Sequence, residues 1–389
     1  MKKIIISVGG RFHAFNLATQ LYKIGVLAGL ITSHPTSEAI KFGVPKKLVK
    51  SILIKEILER GWRKFPQFFK KIYNPQFFIH EVFDKRAAGL IPKEIDIFVG
   101  WSSFSLHSLL RAKSFGAITV LERGSSHIQH QNLILKEEYE KFGVWPELPH
   151  PKIIEKELQE YEEADYISIP SSYVRRTFLE RGFDEKKFIQ VPYGVDLSSF
   201  KQVAKEDNVF RVVFAGGMTL RKGVHYLLRA FSELDLPNSE LMLIGSMNDE
   251  MKQFFKKYRV GEGNIKYVGH VPQNELHAYY SRGSVFVLMS LEEGLAMVQP
   301  QAMACGLPVI CTTNTGGEDI VRDGEDGFII PIRDVNALKE KILFMYENQD
   351  VCREMGQSAK ERVASGFTWD DYGKKIFCAY ASLPHLYRD

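Results

Sequence analysis

The sequence predicts an α/β protein made of two doubly wound parallel-sheet domains that face a central cleft. Short apolar runs alternate with amphipathic segments along nearly the whole chain, and the runs lack the in-and-out alternation of a half-exposed sheet. The length of 389 residues suffices for two domains or slightly more, at about 150 residues each. The alternation is interrupted over residues 194–208, where apolar residues give way to charged ones. This segment is therefore expected to connect the domains.

The first domain is expected over residues 1–194. Its buried runs predict strands at Lys3–Val8, Val26–Thr32, Ile95–Gly100, Ala117–Glu122, Tyr166–Pro170 and Phe188–Pro192. Its amphipathic segments predict helices at Ala14–Lys23, Ser103–Lys113, Ile153–Ala164 and Ser172–Arg181. Strict alternation of strand and helix is typical of a parallel sheet with helices on both faces.

The second domain is expected over residues 195–372, and residues 373–389 are expected to pack back on the first domain. Strands are predicted at Phe210–Ala215, Glu240–Gly245, Ile265–Val268, Val285–Met289, Pro308–Cys311 and Gly327–Ile330. Helices are predicted at Val224–Leu234, Gln273–Ser281, Val298–Cys305, Val335–Asn348 and Trp369–Tyr380. Ligands of open α/β sheets bind at the carboxyl ends of the strands, so two facing sheets imply a binding cleft.

Composition and charge argue against several classes of protein. Hydrophobic residues make up 45% and charged residues 25% of the chain, the mix of an ordinary globular protein. The net charge of +4 is too small to indicate nucleic-acid binding. The four cysteines form no C-x-x-C pair, so neither a disulfide framework nor a zinc site is expected. No apolar run reaches the length of a signal-peptide core or the ~18 residues of a membrane span, which predicts a cytoplasmic protein.

Two glycine-rich loops each follow a predicted strand and precede a predicted helix. Gly9 and Gly10 form the first, where a backbone can approach an anion closely, although a plain tight turn explains the pair equally well. It lacks the G-x-G-x-x-G spacing of a dinucleotide fingerprint. The second loop contains Gly216 and Gly217 and leads to two adjacent cations near the start of a helix.

Those cations are Arg221 and Lys222, and a helix amino terminus favours an anion over added positive charge. A diphosphate between them would offset this cost, since Arg offers a planar fork and Lys a point charge. The alternative interpretation is that Arg221 and Lys222 are a solvated pair of cations on the protein surface.

A third cluster, residues 290–306, follows the strand predicted to end at Met289. Its loop carries Glu292, Glu293 and Gly294, and the helix after it is rich in small residues. Carboxylates there can accept hydrogen bonds from sugar hydroxyls, and the helix start offers N–H donors for phosphate. The cluster suits a neutral polyol beside an anion.

At this point the chain resembles the retaining family-4 glycosyltransferases of the GT-B fold (glycosyl transferases group 1), which have two Rossmann-like domains. The resemblance runs through most of residues 185–380. The family signature is a Glu, seven residues and a second Glu, followed by a small-residue helix, Cys-Gly and Pro-Val-Ile, and Glu293 takes the first position. The other matching segments are 191–196, 221–223, 268–271, 302–310, 316–317, 323–328 and 367–369.

The chain departs from the family pattern at two positions. Gln301 replaces the second Glu, which in the family accepts hydrogen bonds from the nucleotide ribose. Charged hydrogen bonds contribute about 1.5–3 kcal/mol and neutral ones about 0.5–1.5, so we expect donor binding to be weaker by about 1 kcal/mol. Gly217 stands where many members carry an Arg, and Arg221 is expected to supply that guanidinium.

The resemblance implies transfer of a hexose-type sugar from a UDP-, GDP- or ADP-sugar to an acceptor hydroxyl with retention of configuration, in glycan, polysaccharide or glycolipid synthesis. Arg221 and Lys222 would stabilise the leaving diphosphate, Glu293 would orient sugar hydroxyls, and no metal is expected. The donor would contact Gly9, Gly10, Gly216, Gly217, Val271, Gly294, Leu295, Ala296 and Gln301.

The family often has a histidine near the donor sugar, after a central strand. His127 is the main candidate here, with Arg123 close by, and His13 and His130 are weaker ones. A buried structural role is an alternative for any lone histidine. Two other functions stay open: a nucleotide-sugar epimerase, and a weak or inactive sugar-nucleotide-binding protein marked by Gln301.

The segment Lys41–Lys71 holds ten basic residues against two acids, with aromatic residues among them. Such a stretch can lie on an anionic membrane or hold an anionic acceptor, and a solvated helix face is equally open. It favours a lipid-linked or membrane-associated glycan acceptor, with peripheral contact to the inner face of the membrane.

Overall fold

The computed structural model describes residues 2–66, 68, 73–145 and 148–384. They form two parallel sheets covered by helices, and the predicted α/β class with two doubly wound domains is confirmed. The inner strands of both sheets are apolar and largely buried on both faces, as covered parallel sheets require, whereas the edge strands are partly exposed.

The first sheet has seven strands in the order β3-β2-β1-β4-β5-β6-β7, and all neighbours pair in parallel. The strands are β1 Ile4–Val8, β2 Leu27–Thr32, β3 Val49–Ser51, β4 Ile97–Trp101, β5 Ile118–Glu122, β6 Tyr166–Ile169 and β7 Phe188–Gln190. The strand order reverses between β1 and β4, which opens a crevice at their carboxyl ends.

The second sheet has six parallel strands in the order β10-β9-β8-β11-β12-β13. They are β8 Phe210–Ala215, β9 Ser239–Ile244, β10 Ile265–Gly269, β11 Val285–Leu288, β12 Val309–Thr312 and β13 Gly327–Ile330. The order reverses between β8 and β11, so this sheet has its own crevice at the equivalent position.

Helices connect most of the strands. Those of the first half are α1 Ala14–Ile24, α2 Thr36–Lys41, α3 Ile54–Arg63, α4 Gln76–Gly89, α5 Leu106–Lys113, α6 Ile128–Lys141, α7 Pro151–Glu163 and α8 Ser172–Leu179. Those of the second half are α9 Val224–Leu234, α10 Lys252–Lys257, α11 Leu276–Ser281, α12 Val298–Ala304, α13 Val335–Glu347, α14 Gln349–Ala364 and α15 Trp369–Ser382.

The last helix returns to the first sheet. Thr368 caps α15 by accepting from the Asp371 backbone N–H, and the Asp371 carboxylate accepts from the backbone N–H of Thr368 in turn. The helix packs along α1. Close to its other end, the Lys2 ammonium donates to the backbone oxygens of Tyr380 and Leu383 at 3.0 and 2.7 Å.

The chain crosses between the sheets where Val195 bridges to Thr368. A Cβ on Gly194 would lie 2.5 Å from the backbone nitrogen of Trp369, so this close crossing requires glycine. Both passages of the chain between the domains therefore touch at one place.

Candidate functional site

The carboxyl ends of both sheets line one cleft of about 1720 Å³. On the first-domain side, the lining comes from the loops that follow β1, β4 and β5, together with α2 and α3. On the second-domain side, it comes from the loops that follow β8, β9 and β10 and from the start of α12. The cleft thus joins the two crevices set by the strand order.

Gly9 and Gly10 line the cleft, as the sequence indicated. A Cβ on Gly9 would lie 2.2 Å from the Phe104 ring, so the loop packs too tightly for any side chain there. Phe12 follows with φ of +40°, an uncommon conformation for a bulky residue, and its ring is 62% exposed. The glycine pair is therefore part of a strained loop at the mouth of the cleft.

The second glycine loop lies across the cleft, where Gly216 and Gly217 line its wall. Gly216 has φ of +142°, and its carbonyl oxygen would lie 2.0 Å from a Cβ on Gly245, so two backbones meet closely here. A Cβ on Gly217 would meet nothing within 4 Å. A side chain at Gly217 would therefore begin in open space.

Arg221 and Lys222 lie with Glu292 and Glu293 in a network of ion pairs. Lys222 Nζ is 2.5 Å from Glu293 Oε1, and Arg221 Nη1 is 3.3 Å from Glu292 Oε2. These four side chains are not among the described residues that line the cleft. In the structure the chain supplies two carboxylates of its own to these cations, and binding of a diphosphate by Arg221 and Lys222 stays a prediction.

The charged groups of this network stabilise one another in their charged forms. Burial alone would raise the pKa of Glu293, but Arg221 and Lys222 hold it below the usual range. The carboxylate of Glu293 raises the pKa of Arg221, against the opposing effect of burial. Both groups are thus held in their charged forms.

Glu292 connects the network to the first domain. Its carboxylate is fully buried and accepts from the backbone N–H and the hydroxyl of Ser126, each at 2.9 Å. It also accepts from the Gln131 side-chain amide at 3.1 Å. A charged group that bridges both domains in this way couples the cation network to the domain arrangement.

Gly294 packs closely against the first domain at the same interdomain interface. A Cβ there would lie 1.8 Å from the Gly124 carbonyl oxygen, and the Gly294 carbonyl accepts from the Ser171 hydroxyl at 2.6 Å. Leu295 and Ala296 are buried beside it and, like Gly294, are not among the described lining residues. The structure therefore gives Gly294 an interdomain packing role, and it buries Leu295 and Ala296 beside it.

Val271 and Gln301 do line the cleft. Gln301 is 8% exposed and lies in the first turn of α12. Of the positions expected to contact a donor, the structure thus brings six to the cleft wall: Gly9, Gly10, Gly216, Gly217, Val271 and Gln301.

His127 does not reach the cleft. It caps α6, with its Nδ1 accepting from the Gln129 backbone N–H at 3.2 Å, and its ring packs against Tyr161 and Phe178. Burial lowers its pKa to about 3, so the ring is neutral. The structure thus gives His127 a capping role at a helix start, and a contact of His127 with the donor sugar stays a prediction.

Of the three candidate histidines, His13 lines the cleft. Its Nε2 lies 3.1 Å from Glu122 Oε2, and its ring centroid lies 4.2 Å from that of Tyr193. Arg123 also lines the cleft and is held by Glu157 at 2.8 Å and by the Ser126 carbonyl. His130 is not among the described lining residues.

Sequence reasoning missed several cleft residues in loops without glycine pairs. Trp101 ends β4, Ser102, Ser103 and Phe104 follow it, and Ser103 has φ of +73°. Their position directly after a predicted buried strand was the available indication, because β4 lies beside β1 at the point where the strand order reverses.

One cluster in the described part of the chain has the residue types of a metal site: Glu81, Asp84 and His107. Lys156 Nζ lies 2.6 Å from the Glu81 carboxylate and 2.8 Å from that of Asp84. An ammonium therefore already occupies the position between the two carboxylates.

None of the helices over the described residues has the length and apolarity needed to cross a bilayer.

Residues 196–362 match the family model "Glycosyl transferases group 1". The chain is 31% identical over 158 residues to the uncharacterized glycosyltransferase MJ1178 of Methanocaldococcus jannaschii, covering 41% of this chain and 44% of the relative. It is 30% identical over 176 residues to the O-antigen chain mannosyltransferase B of Escherichia coli, covering 44% and 45%. The chain thus spans less than half the length of these two relatives.

Solved structures match over nearly the whole chain. Sucrose-phosphate synthase from Thermosynechococcus elongatus has a TM-score of 0.74 at 19% identity and covers 98% of both chains. Anabaena Alr3699/HepE, solved in complex with UDP-glucose, has a TM-score of 0.69 at 14% identity, covering 98% of this chain and 100% of that one. The protein therefore has the GT-B fold of these structures, and the match to the group 1 model lies within its second half.

Proposed function

We propose that the protein is a retaining hexosyltransferase of family 4 that uses a nucleoside diphosphate sugar and acts in glycan, polysaccharide or glycolipid synthesis. The observation that carries the proposal is the cleft, where the glycine loop of a group 1 domain faces the glycine loop after β1. The relatives include an O-antigen mannosyltransferase, and a protein of similar fold was solved with UDP-glucose.

The donor would lie against the second-domain wall. Gly216 and Gly217 allow a diphosphate to approach the backbone, and Gln301 would hydrogen-bond the ribose. For Arg221 and Lys222 to reach the diphosphate, they would have to exchange Glu292 and Glu293 for phosphate oxygens. Such an exchange would release Glu293 to accept from hydroxyls of the donor sugar.

Cleavage of the sugar–phosphate bond leaves negative charge on the diphosphate while the sugar becomes oxocarbenium-like. Once Arg221 and Lys222 have exchanged their carboxylate partners for phosphate oxygens, they would stabilise that charge without a metal ion. In the retaining mechanism that the resemblance implies, the leaving phosphate takes the acceptor proton, so no protein base is assigned. His13, which lines the cleft, is the histidine that we propose to contact the donor sugar.

A donor screen tests this proposal. UDP-, GDP- and ADP-sugars would be incubated with the protein, with and without glycan acceptors and with EDTA, and the anomeric configuration of the product would be read by NMR. We expect one nucleotide class to give a retained glycoside, with EDTA having no effect. An inverted product would refute retention, and loss of activity in EDTA would refute metal independence.

Gln301 supports a second candidate, a weak or inactive sugar-nucleotide-binding protein. In that case calorimetry would detect nucleoside diphosphate binding while neither transfer nor donor hydrolysis occurred. An epimer formed from donor alone would instead indicate an epimerase. The products that form, or their absence, thus distinguish the transferase, the inactive binding protein and the epimerase.

Peripheral membrane contact belongs to the same proposal. Leu53, Ile57, Phe65 and Phe68 are exposed large apolar side chains in or near α3, within the basic segment 41–71. Exposed apolar residues among cations suit an anionic lipid surface. Lys70 and Lys71 lie outside the described residues. Sedimentation with phosphatidylglycerol vesicles tests the contact.

A further inference from the structure

The two walls of the cleft differ sharply in charge. Among the described residues, every Lys and Arg side chain that lines the cleft belongs to the first domain: Arg11, Lys41, Lys55, Arg60, Arg63 and Arg123. The lining residues between 215 and 301 include no Lys, Arg, Asp or Glu. Apart from Asp196, next to the crossing between the domains, a ligand in the cleft thus meets a neutral wall on one side and a basic wall on the other.

The acids on the basic wall do not balance its cations. Glu56 and Glu59 line the cleft, and both pair with the buried Lys55, at 3.3 and 2.8 Å. Arg60 lies 3.9 Å from Glu56 and its side chain is 71% exposed. Lys41 pairs with Glu38 at 2.6 Å. Counted as formal charges, the five cations of this part of the wall (Arg11, Lys41, Lys55, Arg60 and Arg63) still outnumber the three acids Glu38, Glu56 and Glu59.

Part of the excess positive charge lies on one face of helix α3. Arg60 and Arg63 are three residues apart, so they lie on the same face of the helix, and both line the cleft. Arg11 and Phe12 stand at the mouth of the same cleft, in the loop after β1. An exposed aromatic ring beside guanidinium groups offers a flat apolar surface next to an anion site.

We propose that the acceptor of this enzyme carries a phosphate-type anion, and that Arg60 and Arg63 with Arg11 form its binding site on the first-domain wall. This rests on the proposed function and specifies its acceptor. Guanidinium groups bind phosphate oxygens by paired N–H donors, so an anionic acceptor would bind more tightly than its neutral counterpart. The phosphate can belong to a soluble sugar phosphate or to a lipid headgroup.

The test compares two double variants that remove equal charge from the same segment. Arg60→Gln/Arg63→Gln changes the cleft wall. Lys46→Gln/Lys47→Gln changes exposed residues in the turn before β3, which are not among the described lining residues. Binding of glucose 6-phosphate, glucose and inorganic phosphate is measured by calorimetry on UDP- or GDP-saturated protein. Thermal unfolding verifies that both variants fold.

We expect wild-type protein to bind glucose 6-phosphate at least tenfold more tightly than glucose. The Arg60/Arg63 variant should lose at least tenfold of that preference, while the Lys46/Lys47 variant stays within twofold of wild type. Equal binding of both sugars, or a preference that survives loss of Arg60 and Arg63, would overturn the proposal. Equal loss in both variants would also overturn it, because a general surface charge would then explain the effect.

Two further measurements separate the alternatives. Sedimentation with phosphatidylglycerol vesicles distinguishes a lipid headgroup from a soluble sugar phosphate. If wild-type protein and the Lys46/Lys47 variant sediment with the vesicles and the Arg60/Arg63 variant does not, the site binds a lipid headgroup. If the protein binds soluble phosphate compounds but no vesicles, the result supports a sugar phosphate. UDP and GDP binding is titrated on every variant and should be unchanged. If wild-type protein binds no nucleoside diphosphate, the proposed function fails, whereas the phosphate-binding result tests only this inference.

Discussion

Arg221 and Lys222 illustrate how a buried charge needs a partner whether or not substrate is present. The guanidinium and ammonium groups pair with Glu292 and Glu293 in the structure. An unpaired buried charge would cost several kcal/mol, so a site that binds a diphosphate needs substitute anions when it is empty. Donor binding is then an exchange of carboxylate for phosphate, which favours only donors that pair better than the carboxylates do.

The first prediction concerns these two cations. Arg221→Ala and Lys222→Ala should each lower transfer at least tenfold, because each removes charge that would stabilise the leaving diphosphate. Initial rates at saturating donor measure this. Arg229→Ala is the control, since Arg229 is an exposed residue of α9 that pairs with Glu233. Near-normal turnover in both site variants would contradict the diphosphate role.

The variants Glu293→Ala and Gln301→Ala should differ in their effects on the transfer rate and on nucleotide binding. Glu293→Ala should lower transfer more than Gln301→Ala, because it removes the carboxylate proposed to orient the sugar. It should not weaken UDP or GDP binding, since it frees Arg221 and Lys222 from a competing anion. Rates and calorimetry on both variants measure this. A larger rate loss in Gln301→Ala would show that the roles are misassigned.

Gln301→Glu should strengthen donor binding. A charged acceptor for the ribose hydroxyls is worth about 1 kcal/mol more than a neutral one, which corresponds to about fivefold in the dissociation constant. Calorimetry with the nucleoside diphosphate measures it. Asn274→Asp is the matched control, because Asn274 lines the same wall and gains the same charge. An equal gain in both variants would indicate a general charge effect.

At the scale of elements, the start of α6 shows why sequence pattern and site can disagree. A histidine after a central strand meets the family expectation, but His127 lies at the helix cap, where its ring packs among aromatic residues. His13, in the loop after β1, reaches the cleft instead. The choice depends on which way a side chain points from a loop, and spacing along the chain does not determine that.

The capping role of His127 gives a prediction of pH dependence. The pKa of His127 is lowered to about 3 by burial, against about 6.5 in an unfolded chain. The unfolded state therefore takes up a proton as pH falls from about 6.5 to 3, and the folded state does not. This side chain then lowers the free energy of unfolding by up to about 1.4 kcal/mol per pH unit.

His127→Asn keeps a good cap but lacks this titration. Urea unfolding at pH 8 should show the variant less stable, because it loses the packing against Tyr161 and Phe178. As pH falls toward 4, the stability difference from wild type should shrink. A difference that stays constant with pH would contradict the assignment of a buried neutral ring.

Most of the fold could be predicted because buried parallel strands are apolar throughout and are separated by helical periods. Phe210–Ala215 and Val224–Leu234 are predicted to the residue. The strand β3 was missed, since Val49–Ser51 has three residues at a sheet edge and none is fully buried. The glycine loops of the cleft were predictable because close backbone approach restricts the residue type.

The ion pairs of Arg221 and Lys222, by contrast, join residues about seventy positions apart. A sequence places Glu292 and Glu293 in a loop after one strand and the two cations in a loop after another. Their contact depends on β8 and β11 being neighbours, which is a property of the strand order. Local pattern therefore identified the groups, and topology decided what they bind.

At the scale of the whole molecule, one set of polar contacts between the two domains centres on the carboxylate of Glu138. Glu138 of α6 is fully buried and accepts from His225 Nε2 at 2.8 Å, the Tyr226 hydroxyl at 2.7 Å and Arg333 Nε at 2.7 Å. All three donors belong to the second domain. Burial alone would raise the pKa of Glu138, but these hydrogen bonds keep it below the usual range.

This arrangement predicts that Glu138 holds the cleft closed. Glu138→Gln replaces a charged acceptor of three bonds by a neutral amide, so we expect a more open molecule with a larger radius of gyration in X-ray scattering. Turnover should fall because closure excludes water and aligns the substrates, while binding of UDP or GDP to the second domain changes little. Glu137→Gln is the matched control, because Glu137 is the exposed neighbour that meets only Arg333, at 3.3 Å. If scattering of the two variants is identical, or if nucleotide binding falls together with turnover, the carboxylate supports folding of the domains and does not control their closure.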